Sequence, residues 1–86
     1  MNTMTRILTD LLIDQFGLAA EDIRPEMTFE ELGVDSLVLT ELTVILENEF
    51  DLVIEDGELT EGLTVRQAAQ LAAARLPAPT THRGAA

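Results

Sequence analysis

No staple is available to this chain: it has no cysteine and a single histidine, His82, so neither a disulfide nor a Cys/His metal cluster can hold it folded. Its 86 residues make one small domain, and a chain of that size buries only about 60 to 65% of its unfolded surface. The core must therefore come from ordinary apolar packing. A hydrophobic content of 47% is sufficient for this and argues against disorder. Most of these apolar residues recur at helical spacing, so the pattern predicts an all-α fold.

Met4, Ile7, Leu8, Leu11, Leu12 and Phe16 form one face of a helix from about Thr3 to Phe16, which Gly17 ends. A long connection runs from Leu18 to Asp35, interrupted by Pro25 and pinned by Leu18, Ile23, Met27, Phe29 and Leu32. Connections of this length in compact domains usually have a function. Within it, Thr28 and Glu31 have the spacing of a capping box. The next helix spans about Ser36 to Phe50, with Val38, Leu39, Leu42, Ile45, Leu46 and Phe50 inward and Leu37, Glu41, Val44, Glu47 and Asn48 outward. Leu52-Val53-Ile54 is too isolated to be a strand, and Glu55 to Leu59 reads as a short helical turn. Thr64 and Gln67 make a second capping box at the start of the last helix, whose buried side is Val65, Ala68, Ala69, Leu71, Ala72 and Leu76 and which Pro77 stops. The expected architecture is a small four-helix bundle, three helices long and one short, with a long first loop. It occupies residues 1–76, and residues 77–86 form a mobile tail.

Sixteen acids against five bases give a net charge of -11. Twelve of those acids lie between Arg24 and Arg66 with no base among them, and lysine is absent altogether. Such a surface repels nucleic acid and anionic membranes, so basic proteins are the natural partners. Neither a secretory signal nor a spanning helix can be drawn, because Asp10 and Asp14 break the N-terminal apolar run. The expected location is the cytoplasm, and the expected state is a monomer.

Catalytic constellations are nearly absent. His82 has no ordered acid or nucleophile near it in sequence, and Cys, Lys, Tyr and Trp are all missing. A calcium loop starting at Asp51 fails, because Val53 stands where an oxygen ligand is needed and Gly62 where a glutamate is needed; no metal site is expected. What remains is the junction Leu32-Gly33-Val34-Asp35-Ser36-Leu37. At its plainest, Asp35 or Ser36 is an N-cap. Yet Gly33 permits a sharp turn, the serine ends a long exposed loop, and the helix N-terminus behind it favours a phosphate on its oxygen. An accessible hydroxyl with no base beside it suits a substrate of another enzyme better than a nucleophile.

That junction, followed by Glu41-Leu42 and Leu46-Glu47-Asn48-Glu49-Phe50-Asp51, resembles the acyl carrier protein family over about residues 4 to 76. The resemblance implies that a phosphopantetheinyl transferase moves the 4'-phosphopantetheine arm of coenzyme A onto Ser36, and that the arm's thiol carries acyl groups as thioesters. Asp35 would help position the transferase's magnesium and arginines. The family's partner strip falls on Leu37, Glu41, Val44 and Glu47, with Asp56 on the following short helix. Ketosynthases, acyltransferases, reductases and other enzymes with basic patches would read it. Phe29, Leu42, Leu46, Ile54, Leu59, Leu63 and Ala68 occupy positions resembling the family's acyl cavity, although as plain core they need no such role. The chain itself would not be an enzyme.

Val38, Leu39 and Asn48 stand where fatty-acid carriers commonly have acids, a departure that points to polyketide or specialised fatty-acyl biosynthesis. A peptidyl or aminoacyl carrier is the nearest alternative, but Gly33-Val34-Asp35 lacks its usual glycine pair. A noncatalytic acidic adaptor is the alternative from another class.

The charge imbalance makes a direct prediction. Added salt or magnesium raises the melting temperature by screening self-repulsion; a thermal melt that does not move with ionic strength would show the charge to be compensated within the fold.

Overall fold

A computed structural model of the chain describes residues 3–55 and 57–76. The tail expected at residues 77–86, with His82, and the partner residue Asp56 lie outside the described residues. Three α-helices carry the fold: α1 (Thr3–Phe16), α2 (Ser36–Phe50) and α3 (Val65–Ala74), with a single 3₁₀ turn at Ala20–Asp22 between α1 and α2.

Each helix buries most of the stripe that its periodicity marks; Ile45, expected inward on α2, is instead half-buried beside the outward strip. Met4, Leu8 and Leu12 face inward from α1, Leu39, Leu42 and Leu46 from α2, and Val65, Ala68, Ala69 and Ala72 from α3. The small side chains of α3 let its backbone approach α1 closely, and these two helices pack directly together. Phe29, Val34, Leu52, Ile54 and Leu59 from the connections fill the spaces between helices. Gly17, with φ 75, stops α1 in the left-handed conformation that glycine adopts without penalty. At the end of α2 the left-handed residue is Asp51, φ 61, whose N–H donates to the carbonyl of Glu47.

The start of α3 is the most completely satisfied helix end. Val65 N–H donates to Met27 O at 3.0 Å and Arg66 N–H to Pro25 O at 2.8 Å. Gln67 N–H donates to Thr64 Oγ1, and Gln67 Oε1 accepts from Thr64 N–H, completing the expected capping box. A helix start leaves its first N–H groups without partners of its own, and here the long first connection supplies two of the missing acceptors. The same seam continues through Phe29 N–H to Leu63 O and Glu30 N–H to Glu61 O, at 3.1 and 3.0 Å.

Two sequence expectations need correction. Glu55 to Leu59 forms no helix among its described residues: Gly57 adopts φ 85, incompatible with a right-handed helix, and the segment closes as a turn with Glu58 N–H donating to Glu55 O. Leu76 is not on the buried side of α3. The helix ends at Ala74 and Leu76 is 41% exposed, because the chain has left the helical path before reaching it.

Phe29 is fully buried where the connections meet the helices. Phe29→Ala is expected to cost about 3–5 kcal/mol, a large part of the stability of so small a domain. Urea unfolding of wild type and variant measures it; a cost below about 1 kcal/mol would place the ring outside the core that holds the connections.

Candidate functional site

Ser36 is placed from both sides. Upstream, Thr28 and Glu31 form the reciprocal box expected from their spacing: Thr28 N–H donates to Glu31 Oε1 at 2.9 Å and Glu31 N–H to Thr28 Oγ1 at 3.1 Å. The Phe29 carbonyl then accepts from both Leu32 and Val34, and Gly33, at φ 79, donates to Glu30 O. Buried Phe29 and Val34 thus anchor a tight turn, and the chain emerges from it at Asp35 and Ser36, both exposed.

Downstream, Asp35 is the N-cap of α2. Its backbone is extended, its Oδ1 accepts from Val38 N–H at 3.0 Å, and its carbonyl accepts from Leu39 N–H. This decides between Asp35 and Ser36 for the capping role, and it leaves the Ser36 hydroxyl unspent at the first position of the helix. The N–H groups of Ser36 and Leu37 stand outside the helical ladder, at the positive end of the α2 dipole. A phosphate ester on Ser36 Oγ fits that environment.

Beside the junction lies a shallow depression lined by Glu30, Gly33, Val34, Asp35 and Glu61. Glu30 and Glu61 carry no motif that links them to Ser36. Only the backbone bond from Glu30 N–H to Glu61 O brings them together across 31 positions of sequence. The sequence signal for their role was limited to their charge.

On the outward strip of α2, Leu37 and Val44 are 66% and 49% exposed, and Glu41 is exposed as well. Glu47 does not simply face water. It is half-buried, and its Oε2 accepts from Ile54 N–H at 3.2 Å, so it ties α2 to the segment that follows. A helical wheel cannot show this, because the partner is a backbone group beyond the helix. The strip is also wider than periodicity indicated: half-buried Phe16 and Ile45 line an open groove of about 390 Å³ with Gln15, Thr40, Glu41 and Val44.

The seven residues matched to an acyl cavity divide. Phe29, Leu42, Leu46 and Ala68 are sealed in the core and Leu63 is half-buried, whereas Ile54 and Leu59 line a narrower cavity of about 110 Å³ between α2 and the α2–α3 connection. Glu58 stands on that connection, bound to Arg75 by two side-chain bonds of 2.6 and 2.5 Å. The Arg75 bonds, and then the Glu55 N–H, hold the Glu58 carboxyl below its ordinary range, while Glu58 raises Arg75. Among the described residues, no group of three or more His, Cys, Asp or Glu is arranged to hold a metal ion. Nor is any described helix long and apolar enough to cross a membrane.

Comparison with known proteins finds both a family match and curated relatives. The family described as "Phosphopantetheine attachment site" matches residues 6–72. The chain is 42% identical over 62 residues to an acyl carrier protein of Nitratidesulfovibrio vulgaris (strain DSM 19637 / Miyazaki F), covering 71% of this chain and 82% of that protein. It is 44% identical over 59 residues to the acyl carrier protein of strain DP4, covering 67% and 78% respectively. No solved structure matches the chain significantly.

The two strip glutamates are expected to separate on charge reversal. Glu47→Lys loses the bond to Ile54 N–H and costs roughly 1 kcal/mol, whereas exposed Glu41→Lys leaves stability within about 0.5 kcal/mol of wild type. Equal denaturation midpoints for the two variants would remove Glu47 from the fold's hydrogen bonding.

Proposed function

Because this chain belongs to the phosphopantetheine-attachment family of acyl carrier proteins, we propose that Ser36 is the residue to which its prosthetic arm is joined. The protein is a carrier, not an enzyme, and its cofactor is a covalently held 4'-phosphopantetheine. The observation that carries the assignment is the exposed Ser36 hydroxyl at the first position of α2, left free by Asp35's occupation of the cap.

The chain presents this hydroxyl and supplies little else to the reaction. Lysine and cysteine are absent from the sequence, and no histidine lies among the described residues. In this reading the base that deprotonates the hydroxyl is supplied by the phosphopantetheinyl transferase, as the family resemblance implies. Ser36 Oγ forms a bond to the phosphorus that bears the pantetheine, the bond from that phosphorus to the adenosine bisphosphate portion of coenzyme A breaks, and the hydroxyl proton passes to the transferase. Asp35 keeps α2 wound from its first turn, so the oxygen is held in a defined place, and its second carboxylate oxygen is available to the transferase's magnesium and arginines. When bound, the arm supplies a terminal thiol that holds acyl groups as thioesters.

Leu37, Glu41, Val44 and Glu47, joined through the family resemblance by Asp56, are the residues read by acyl-processing enzymes with basic patches, among them ketosynthases, acyltransferases and reductases. Exposed ion pairs are worth only about 0.2–1 kcal/mol each, so contacts made there release quickly, as a shuttle requires. The cargo class we favour is a polyketide or specialised fatty-acyl chain. Supporting this, uncharged Val38, Leu39 and Asn48 stand at positions where the family resemblance places acids in general fatty-acid carriers. The protein works as a cytoplasmic monomer in this reading.

Incubation with coenzyme A, magnesium and a promiscuous phosphopantetheinyl transferase is expected to add the mass of one phosphopantetheine to wild type and none to Ser36→Ala, read by intact mass spectrometry. A modified Ser36→Ala would move the attachment elsewhere, and an unmodified wild type would leave the carrier reading without its chemistry.

A further inference from the structure

The α2–α3 connection has no regular structure of its own among its described residues, yet it forms one wall of the cavity beside α2. Leu39, Thr43, Val44 and Glu47 line the helical side, and Ile54, Glu55, Gly57 and Leu59 line the other, so two carboxylates stand among its apolar side chains. Thr40, whose Oγ1 donates to the Ser36 carbonyl, also lines it, so the cavity begins one helical turn from the hydroxyl.

Side chains from two helical elements hold this wall. From α2, Glu47 Oε2 accepts the Ile54 N–H. From the C-cap of α3, Arg75 reaches over the outside of the connection: Nη1 donates to Val53 O at 3.2 Å, and both terminal nitrogens engage the Glu58 carboxylate. Glu58 Oε1 in turn accepts from Glu55 N–H at 2.9 Å. One guanidinium thus gathers Val53, Glu55 and Glu58, on both sides of Gly57, where the φ of 85 marks the bend. This is the one salt bridge among the described residues, in a chain otherwise dominated by repelling acids. Planar, bidentate pairing suits arginine to such a clamp.

We propose that the Arg75–Glu58 pair is a latch that sets the width of the cavity beside α2, and so limits the length of acyl chain sheltered there. The proposal rests on Ser36 as the attachment point. The cavity is small, about 110 Å³, and partly open to solvent, so it admits a short acyl chain and leaves the far end of a longer one outside. Releasing the latch frees the wall on its α3 side while the anchors Leu52, Ile54 and Leu59 and the Glu47 bond still hold it on the other. Arg75 and Glu58 are positioning residues in this scheme, remote from the reacting atoms.

The test uses Arg75→Ala and Glu58→Gln, the latter keeping an acceptor for the Glu55 N–H, with Arg75→Lys as the conservative variant. In the unmodified protein, amide hydrogen exchange at Val53, Ile54 and Leu59 is expected to quicken about two- to five-fold in the first two variants, the shift an exposed pair can carry, with an intermediate effect in Arg75→Lys. Exchange at Leu8 and Leu12 of α1 stays at the wild-type rate, which distinguishes a released wall from a loosened fold. Unchanged exchange across 53–59 overturns the latch whether or not Ser36 is ever loaded. Each protein is then loaded with acetyl- or octanoyl-phosphopantetheine from the corresponding coenzyme A ester and exposed to hydroxylamine. Octanoyl thioester cleavage is expected to slow about two- to five-fold in Arg75→Ala and Glu58→Gln relative to wild type, and acetyl cleavage to match wild type. Equal or faster octanoyl cleavage with normal loading overturns the latch alone; failure of wild type to load removes the attachment reading and with it the latch's role toward cargo.

Discussion

The backbone seam between residues 25–30 and 61–66 is the interaction on which the rest of the structure depends. It gives the first turn of α3 two acceptors its own ladder cannot provide, Pro25 O and Met27 O, and gives the long first connection the partners it would otherwise lack. Buried backbone groups must be paired, and here each segment satisfies the other. Phe29 sits in the middle of the seam, so its side chain seals the core while its N–H binds Leu63 and its carbonyl turns the chain toward Val34. The position of Ser36 therefore descends from α3 through Phe29, although neither touches the hydroxyl.

This arrangement separates the rigid from the adjustable parts. The turn before α2 is fixed by reciprocal side-chain bonds and two buried anchors, so Ser36 leaves it in a defined position. The connection after α2 is held chiefly by Glu47, Arg75 and a few apolar contacts, with no helix to stiffen its described residues. Loosely held segments open at lower free-energy cost than cores. In this chain the difference between the two connections follows from where hydrogen-bonding side chains converge.

Helix boundaries were legible because their signals are local. Gly17, the Asp35 cap and the Thr64–Gln67 box each act within four residues, and α1 and α2 begin and end where periodicity and caps place them. The expected helix at Glu55 to Leu59 failed because acid content near an expected N-terminus is a weaker constraint than a glycine bent to φ 85. Leu76 failed for a related reason: periodicity assigns a face only while the helix lasts, and α3 stops at Ala74. Of the candidate site, Asp35-Ser36-Leu37 and the exposed part of the strip were readable, because a motif and an amphipathic face are both one-dimensional patterns.

By itself the sequence determined an all-helical domain without staples, its strong negative charge, and a serine at a helix start within a recognisable run of residues. Only the tertiary structure decided that Asp35, not Ser36, takes the cap, that Glu47 bonds the backbone of Ile54, that Glu30 and Glu61 meet beside Asp35, and that Arg75 spans the wall of the α2 cavity. The first set depends on interactions between neighbours in the chain, whose geometry the helix supplies. The second depends on where separate segments are brought together, and hydrogen bonds between segments 7 to 31 residues apart have no period to be read. Even the Asp35 cap, local as it is, required coordinates, because either side chain of an Asp-Ser pair can satisfy the same N–H.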